Sequence, residues 1–469
     1  MQSKTDFSPI NRINCFLRSP EFIAVAALLT AAANIFALEL AVYTIFVLVV
    51  IYVCLLGDDL RPIMPLVVFC YLAPSVANNP GHNASSVFSG GSGVYILCLG
   101  GVIALAVGVY VFRNRKAFFR YKRPLLGGML LLAGAYMLSG IGSAAYPDRA
   151  LKNILFSALQ GACIIVPYYL FSGSLDWKHT RKDYFAWVGF CAGGLLSIEI
   201  LWIYLTGSVV EGGVIIRRRI YTGWGMYNNM GGMLAMMIPY AFYLATKYHK
   251  GWIGTVVGSA FLVCVLLTCS RNSIIIATAV YLVCILLMLS YARNRRHNTI
   301  ALVTVSAVLI LVFTLFHDQI LLLFSDILNR GLDPSSRDYI FWEGLKLFAD
   351  APIFGSSFYS PGYQPWDFSI VDSFSAFFPP RWHNTIIQLL ASCGIVGLCA
   401  YILHRVQTVR MLLCGHSKEK SFIACSLAVL VVCSLFDCHF FNMGPTLFYS
   451  MALAFSENCT GNTYSLTEN

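Results

Sequence analysis

Charged residues are scarce in this chain of 469 residues, in which Asp, Glu, Lys and Arg together make up 12%. That is about half the usual share of a soluble protein. Hydrophobic residues make up 58%. So little charge could not cover the surface of the roughly three soluble domains that this length would suggest. The composition therefore excludes a soluble protein and predicts a polytopic membrane protein whose surface is covered by lipid.

Several signatures of other protein classes are also missing. The 16 cysteines lie in apolar runs such as Val263-Cys264-Val265 and lack the spacing of disulfides or metal ligands. We find no cleavable signal peptide and no glycine-rich loop of the kind that cradles phosphates. The net charge of +10 is explained by basic cytoplasmic loops, and not by binding to nucleic acid. We therefore expect no metal, no cofactor and no nucleic-acid partner.

Long apolar runs are the main feature of the sequence. A helix that spans a membrane needs about 20 mostly apolar residues. The candidate segments are 21–37, 39–56, 62–78, 92–112, 124–145, 152–172, 184–206, 228–246, 252–269, 272–291, 299–316, 383–403, 421–436 and 441–456. The first pair and the last pair are short and could merge or be re-entrant. We therefore predict an all-α bundle of about twelve to fourteen transmembrane helices.

The positions of Lys and Arg predict the orientation of the bundle. Basic residues fall in alternate connections, which places those connections in the cytoplasm. They are Arg113, Arg115, Lys116, Arg120, Lys122, Arg123, Lys178, Arg181, Lys182, Lys247, Lys250, Arg293, Arg295, Arg296, Arg405, Arg410, Lys418 and Lys420. Both termini, residues 1–20 and 457–469, are then cytoplasmic. The transmembrane helices occupy 21–316 and 383–456, and residues 317–382 form one large extracytoplasmic loop.

Some arginines fall on the opposite, extracytoplasmic side and are candidates for a site. Arg217, Arg218 and Arg219 lie together in the short loop 207–227. Guanidinium groups bind phosphate in a bidentate manner, so these residues predict an anionic ligand. Contact with the phosphates of lipid headgroups is the alternative.

Arg271 lies in a tight turn with an apolar run on either side. A charge held at membrane depth is costly unless it is paired or hydrated, which makes Arg271 a candidate functional residue. Snorkelling of the side chain towards headgroups is the alternative.

The large loop 317–382 contains signals of an amphipathic helix. Ser335 and Ser336 are typical helix caps, and Phe341, Leu345 and Phe348 follow at helical spacing. Arg337 lies in the first turn, where the helix dipole slightly disfavours a cation. It is therefore either placed for a ligand or a solvated surface charge.

Aromatic residues crowd the rest of the loop, including Phe358 and Tyr359. They suit a cover at the membrane interface or stacking on sugars, and anchoring in an interfacial belt is the alternative.

His383-Asn384 then begins the next apolar helix. A neutral His383 imidazole at the mouth of a cavity could accept a proton from a hydroxyl, whereas a role as a cap or structural hydrogen bonder is the alternative.

These segments together resemble the superfamily of O-antigen ligases and polymerases, which are bacterial enzymes of extracytoplasmic glycan assembly. His383-Asn384, followed after nine residues by Gly394 and then by Gly397, is similar to its signature. The arginine triplet before Asn228-Asn229, Ser270-Arg271, and Arg337 with Trp342, Pro352 and Gly355 are similar to three further motifs of the family, in the same order. The resemblance covers about residues 200–400.

The resemblance implies a metal-independent glycosyltransferase in the bacterial inner membrane that uses a glycan linked to undecaprenyl pyrophosphate. Arg271 and one or more of the triplet would bind the pyrophosphate and stabilise its charge as the sugar leaves. His383 would orient or deprotonate the acceptor hydroxyl. Arg337 would hold the loop or the donor, and Asn384 would contact the substrate.

Other functions remain open at this point. A ligase moves a whole glycan to a lipid, glycan or protein acceptor, whereas a polymerase joins repeat units, and the sequence does not separate the two. A flippase for lipid-linked oligosaccharides would predict charges along several spans and an internal repeat. Acidic residues interrupt the predicted spans only at Glu199 and Glu39, and no repeat is found.

Overall fold

The fold is a bundle of α-helices. The computed structural model describes residues 9–36, 38–57, 59–72, 90–120, 123–141, 150–174, 181–206, 209–222, 225–330, 337–359, 381–415 and 417–458. The helices of the first half are α1 Pro9–Leu17, α2 Pro20–Phe36, α3 Glu39–Leu56, α4 Ile63–Leu72, α5 Gly90–Arg113, α6 Arg115–Arg120, α7 Leu126–Met137, α8 Ala150–Ser174 and α9 Tyr184–Leu205.

The second half continues the bundle after a short β-structured loop. Two antiparallel strand pairs are formed by β1 Val210–Glu211 with β2 Val214–Ile215 and by β3 Tyr221–Thr222 with β4 Gly225–Met226. The helices that follow are α10 Tyr227–Lys247, α11 Trp252–Leu267, α12 Arg271–Tyr291, α13 Arg295–Leu315, α14 His317–Leu323, α15 Ser325–Arg330, α16 Arg337–Asp350, α17 Thr385–Leu413, α18 Lys418–Cys433 and α19 Met443–Asn458. Short 3₁₀ turns occupy Arg217–Arg219 and His439–Phe441.

The helical membrane fold predicted from composition is confirmed, and each predicted apolar segment overlaps one described helix. Seven described helices are long and apolar enough to cross a membrane, and there are eight if the bent pair α1–α2 forms one span. Others, such as α7 and α11, are apolar but shorter. The number of complete spans therefore stays a prediction.

The outer surface of the bundle requires lipid. Along α13 the side chains of Leu309, Ile310 and Leu311 are exposed, and only 11% of the apolar window of this helix is buried. Such a surface is unfavourable in water and is stable in a hydrocarbon layer. By contrast α10 lies in the centre of the bundle, where every side chain from Met230 to Thr246 is buried.

A cluster of ion pairs lies at one end of the bundle. The buried Asp183 carboxylate, just before α9, pairs with Arg181 at 3.0 Å and with Lys247, at the end of α10, at 3.0 Å. Burial alone would raise the pKa of Asp183, but hydrogen bonds from Arg181, Tyr248 and Lys247 lower it below its ordinary value. The carboxylate therefore stays charged and ties the start of α9 to the end of α10.

The opposite end, where α10, α12, α17 and α19 begin, is called the site end below. Part of the predicted loop 317–382 enters the bundle here. Residues Pro352–Tyr359, called the crossing segment, pass α17 where Gly394 interrupts the helix with φ of 62°. The backbone N–H of Ile395 donates to the Pro352 carbonyl at 2.9 Å, and the N–H of Ser356 donates to the Ala391 carbonyl at 2.8 Å. These bonds satisfy backbone groups that a break in a buried helix would otherwise leave unpaired.

The crossing segment corrects one expectation for this loop. Phe358 and Tyr359 are buried in the bundle core, where Phe358 packs on Tyr136, Phe156 and Phe441. They are therefore not an interfacial cover and cannot stack on a sugar. The stretch looked like a surface loop because its apolar run is too short to span a membrane.

The predicted amphipathic helix in the loop is present as α16. Its buried face is Ile340 and Gly344, which pack on Trp382, Ile387 and Ala391 near the start of α17. Phe341, Leu345 and Phe348 are half-buried beside this face. The predicted caps Ser335 and Ser336 lie outside the described residues.

We expect Gly394→Ala to destabilise the protein. An added Cβ would lie 2.4 Å from the carbonyl oxygen of Ile353, and a positive φ is unfavourable for alanine, so we expect a loss of roughly 1–3 kcal/mol. Thermal unfolding in detergent would measure this as a lower midpoint. Gly101→Ala is the matched control, because an added Cβ there meets no atom within 4 Å. Equal midpoints for the two variants would contradict this account of the break in α17.

Candidate functional site

Three helices begin at the same place at the site end. α10 opens with Tyr227-Asn228, α12 opens after Ser270, and α17 opens after His383-Asn384. The free N–H groups and the positive ends of the helix dipoles at such termini favour an anion. The motif residues of three separate stretches of sequence are therefore brought together.

Asp437, in the turn between α18 and α19, joins these helix starts. One carboxylate oxygen of Asp437 lies 3.2 Å from Nδ1 of His383 and accepts the N–H of Cys438 at 2.9 Å. The other oxygen accepts from the Asn228 amide at 3.3 Å. The carboxylate therefore connects α17 to α10.

The hydrogen-bonded chain continues from Asn228 to α12. The Ser270 hydroxyl donates to the Asn228 side-chain oxygen at 2.9 Å and lies 2.8 Å from the Ser273 hydroxyl. Arg271 follows as the first residue of α12, and its side chain is half-buried. The predicted pair Arg271 and His383 are therefore linked through Ser270, Asn228 and Asp437.

The geometry fixes the tautomer of His383. A carboxylate only accepts hydrogen bonds, so Nδ1 carries the proton that faces Asp437. In the neutral imidazole the lone pair then lies on Nε2, which is free to accept a proton from another group. His383 itself has a φ of 49°, which is an unfavourable backbone conformation for a residue with a side chain.

Strained backbone is concentrated at this end of the molecule. Among the described residues, three that are not glycine have a positive φ: Cys269, Ser357 and His383. Cys269 directly precedes the Ser270-Arg271 motif, and Ser357 lies in the crossing segment. Strain of this kind costs of order 1–3 kcal/mol each and clusters at functional sites.

Asn384 acts as a helix cap. Its side-chain oxygen accepts from the N–H groups of Ile386 at 2.8 Å and Ile387 at 3.2 Å, while its amide nitrogen donates to the Leu435 carbonyl at 2.8 Å. These bonds hold the start of α17 against the turn that carries Asp437. They explain the placement of His383, and the substrate contact predicted for Asn384 stays a prediction.

The described side chains of the arginine triplet lie in different surroundings. The guanidinium of Arg217 lies 5.0 Å from the ring centre of Tyr227, directly beside Asn228. Arg219 forms an exposed ion pair of 2.7 Å with Glu211 of β1. The side chain of Arg218 lies outside the described residues. Of the two described side chains, Arg217 and Arg219, Arg217 is the one that lies against the start of α10.

Positive charges surround the Asp437 turn. Burial alone would raise the pKa of Asp437, but the hydrogen bond from His383 and the nearby His439 and Arg381 hold it well below its ordinary value. Asp437 is therefore ionised at neutral pH. Burial lowers the pKa of His439, and the charges of Arg381 and Arg337 lower it further, against the opposing effect of Asp437.

Arg337 contributes to this electrostatic environment from the first position of α16. His439 is buried against Gly232 of α10, where an added Cβ would lie 2.8 Å from the imidazole. Within the part of the chain that the structure describes, no group of three or more His, Cys, Asp or Glu side chains is placed to hold a metal ion.

Sequence reasoning did not identify Asp437 and His439 as site residues. The available signal was the pair of polar residues in Asp437-Cys438-His439, which interrupts two apolar runs at the predicted outer face. An isolated acid at a helix end is common, however, and its partner His383 is more than fifty residues earlier in the chain.

Comparison with known families gives one match. Residues 255–402 match the O-antigen ligase family, a stretch that includes Arg271, Arg337 and His383 but neither Arg217 nor Asp437. No curated protein matches the chain. The match confirms the resemblance that the motifs indicated: the chain is a multi-pass membrane protein, and about a third of it, residues 255–402, is similar to the O-antigen ligase family.

Proposed function

We propose that the protein transfers a glycan from an undecaprenyl-pyrophosphate carrier to an acceptor hydroxyl at the extracytoplasmic face of the bacterial inner membrane. The observation that supports this most is the chain of hydrogen bonds from His383 through Asp437 and Asn228 to Ser270, beside Arg271. It joins a base, whose Nε2 has no hydrogen-bond partner among the described residues, to a helix start that carries an arginine; attack on a sugar bound to a pyrophosphate needs both groups.

His383 is the proposed base. The Nε2 lone pair takes the proton of the acceptor hydroxyl as its oxygen attacks the anomeric carbon of the donor sugar. Asp437 accepts the Nδ1–H bond, keeps the imidazole in the required tautomer and stabilises the imidazolium that forms, as in other His–Asp pairs. Asn384 is proposed as a positioning residue that fixes the start of α17, in addition to the substrate contact predicted for it.

Arginines are proposed to stabilise the leaving group. The bond from the anomeric carbon to the pyrophosphate oxygen breaks, and the negative charge moves onto the pyrophosphate. Arg271, at the start of α12, and Arg217, which lies over Tyr227 at the start of α10, would hold this charge. Arg337 would hold the loop or the donor from the start of α16. These cations would take the place of a divalent metal, so the proposed reaction is metal-independent.

The acceptor decides between the two members of the superfamily. A long glycan moved once onto a lipid or protein would make the protein a ligase, and addition of repeat units to a glycan would make it a polymerase. The flippase alternative gains no support from Glu199, because this mid-span carboxylate is buried and accepts a hydrogen bond from Asn34 of the neighbouring helix α2.

We expect His383→Ala to abolish transfer, and Asp437→Asn to reduce it at least about a hundredfold, because both remove the oriented base. The measurement is restoration of surface glycan in cells that lack the matching ligase or polymerase, read on a glycan gel. His297→Ala is the matched control, since that exposed histidine lies in α13 at the opposite end. Full restoration by His383→Ala would reject the site assignment.

We expect Arg217→Gln to reduce transfer and Arg219→Gln to leave it nearly unchanged. Arg217 lies over Tyr227 at the start of α10, whereas Arg219 pairs with Glu211 on the exposed hairpin. In the same assay Arg271→Lys should lose roughly a hundredfold, because lysine lacks the bidentate fork. Greater damage from Arg219→Gln than from Arg217→Gln would overturn the choice within the triplet.

A further inference from the structure

Arg405 lies inside α17 and is surrounded by aromatic rings. Its guanidinium carbon is 4.3 Å from the ring centre of Phe440, 4.7 Å from that of Tyr401 and 4.8 Å from that of Tyr449. All three rings are buried. The charge pattern of the sequence predicts Arg405 in a cytoplasmic loop, but Arg405 lies within α17, which continues to Leu413.

The three rings, together with the nearby hydroxyls of Tyr401 and Tyr449, are the compensation that the described residues give this charge. Nε and Nη2 of Arg405 are buried and have no hydrogen-bond partner among the described residues, and the described ion pairs of the chain do not include Arg405. A charge taken out of water is costly unless it is compensated. The negative faces of aromatic rings attract a cation, most strongly where water is excluded.

Phe440 links this aromatic cage to the site. It lies in the 3₁₀ turn His439–Phe441, three residues after Asp437. Its N–H donates to the Ser434 hydroxyl at 3.1 Å, and its carbonyl accepts from Thr446 at 2.8 Å. The Phe440 backbone therefore ties the end of α18 to the start of α19, and its ring lies against Arg405.

We propose that Arg405 is a positioning residue for the site, which holds Phe440 in the aromatic cage and thereby fixes the turn that carries Asp437. Arg405 does not contact the substrate. An apolar side chain of similar length would fill the same space at a lower cost in desolvation, but it would lack the directional attraction to three rings. The consequence for catalysis rests on the function proposed above, whereas the consequence for the turn does not.

Arg405→Met is the first variant to test, because it removes the charge and keeps an unbranched side chain. Arg410→Met is the matched control, since Arg410 is an exposed residue of the same helix. The first readout is the kinetics of transfer. We expect Arg405→Met to lower kcat by about ten- to a hundredfold, as displaced supporting residues do, with KM for the donor nearly unchanged. Arg410→Met should change neither.

Cys438 provides a second readout that does not depend on activity. Its side chain is fully buried in the turn next to Asp437, so the rate of its alkylation by N-ethylmaleimide, quantified by peptide mass spectrometry, reports loosening of the turn. We expect Arg405→Met to accelerate this alkylation and Arg410→Met to leave it unchanged. Unchanged kcat and unchanged alkylation in Arg405→Met would overturn the proposal.

Two further variants keep the test decisive if Arg405→Met does not accumulate. Arg405→Lys keeps a cation in the cage and should retain more activity and slower alkylation than Arg405→Met. Phe440→Leu removes the ring that links the cage to the turn, and it should reproduce the loss of kcat. Adding Arg405→Lys to Phe440→Leu should lower kcat little below that of Phe440→Leu alone, and losses that multiply independently would overturn the link.

The same experiment separates the two proposals. If the wild type transfers no glycan but Arg405→Met still accelerates alkylation of Cys438, the proposed function fails and the positioning role stands. If the wild type transfers glycan and Arg405→Met changes neither readout, the positioning role fails and the proposed function stands.

Discussion

The arrangement of the site depends on one buried carboxylate. Asp437 accepts hydrogen bonds from His383 and from Asn228, which belong to different helix starts, and from the backbone of its own turn. A buried carboxylate is stable only when it is well paired. The charge of Asp437 therefore requires the surrounding cations and hydrogen-bond donors, whether or not a substrate is bound. Without it, α10, α17 and the turn between α18 and α19 would lose their common partner.

The remainder of the fold brings these groups to one place. The crossing segment passes α17 at Gly394, and the buried Phe358 contacts Phe441 in the Asp437 turn. The N–H of Phe358 donates to Asn153 of α8 at 3.0 Å. The crossing segment is therefore anchored to α8, to α17 and to the turn that carries Asp437. On the opposite end, the ion pairs of Asp183 fix α9 to α10, so α10 is held at both ends.

Much of the fold could be predicted from the sequence because its cause is local. Apolar runs of about 20 residues form helices wherever they occur, and the motif arginines and His383 were recognised from their neighbours. Three features could not be predicted in this way. The pairing of His383 with Asp437, the burial of Phe358 and the contact of Arg405 with Phe440 depend on residues far apart in the chain. The choice of Arg217 over Arg219 required the positions of their side chains.

The central claim is that arginines and an oriented histidine perform glycan transfer without a metal. The most direct measurement uses the purified protein, an undecaprenyl-pyrophosphate-linked glycan and a hydroxyl acceptor in the presence of EDTA. We predict one glycosylated acceptor for each undecaprenyl pyrophosphate released, at a rate that EDTA does not reduce. Loss of transfer in EDTA that a divalent ion restores, or release of the carrier without a glycosylated acceptor, would contradict the account.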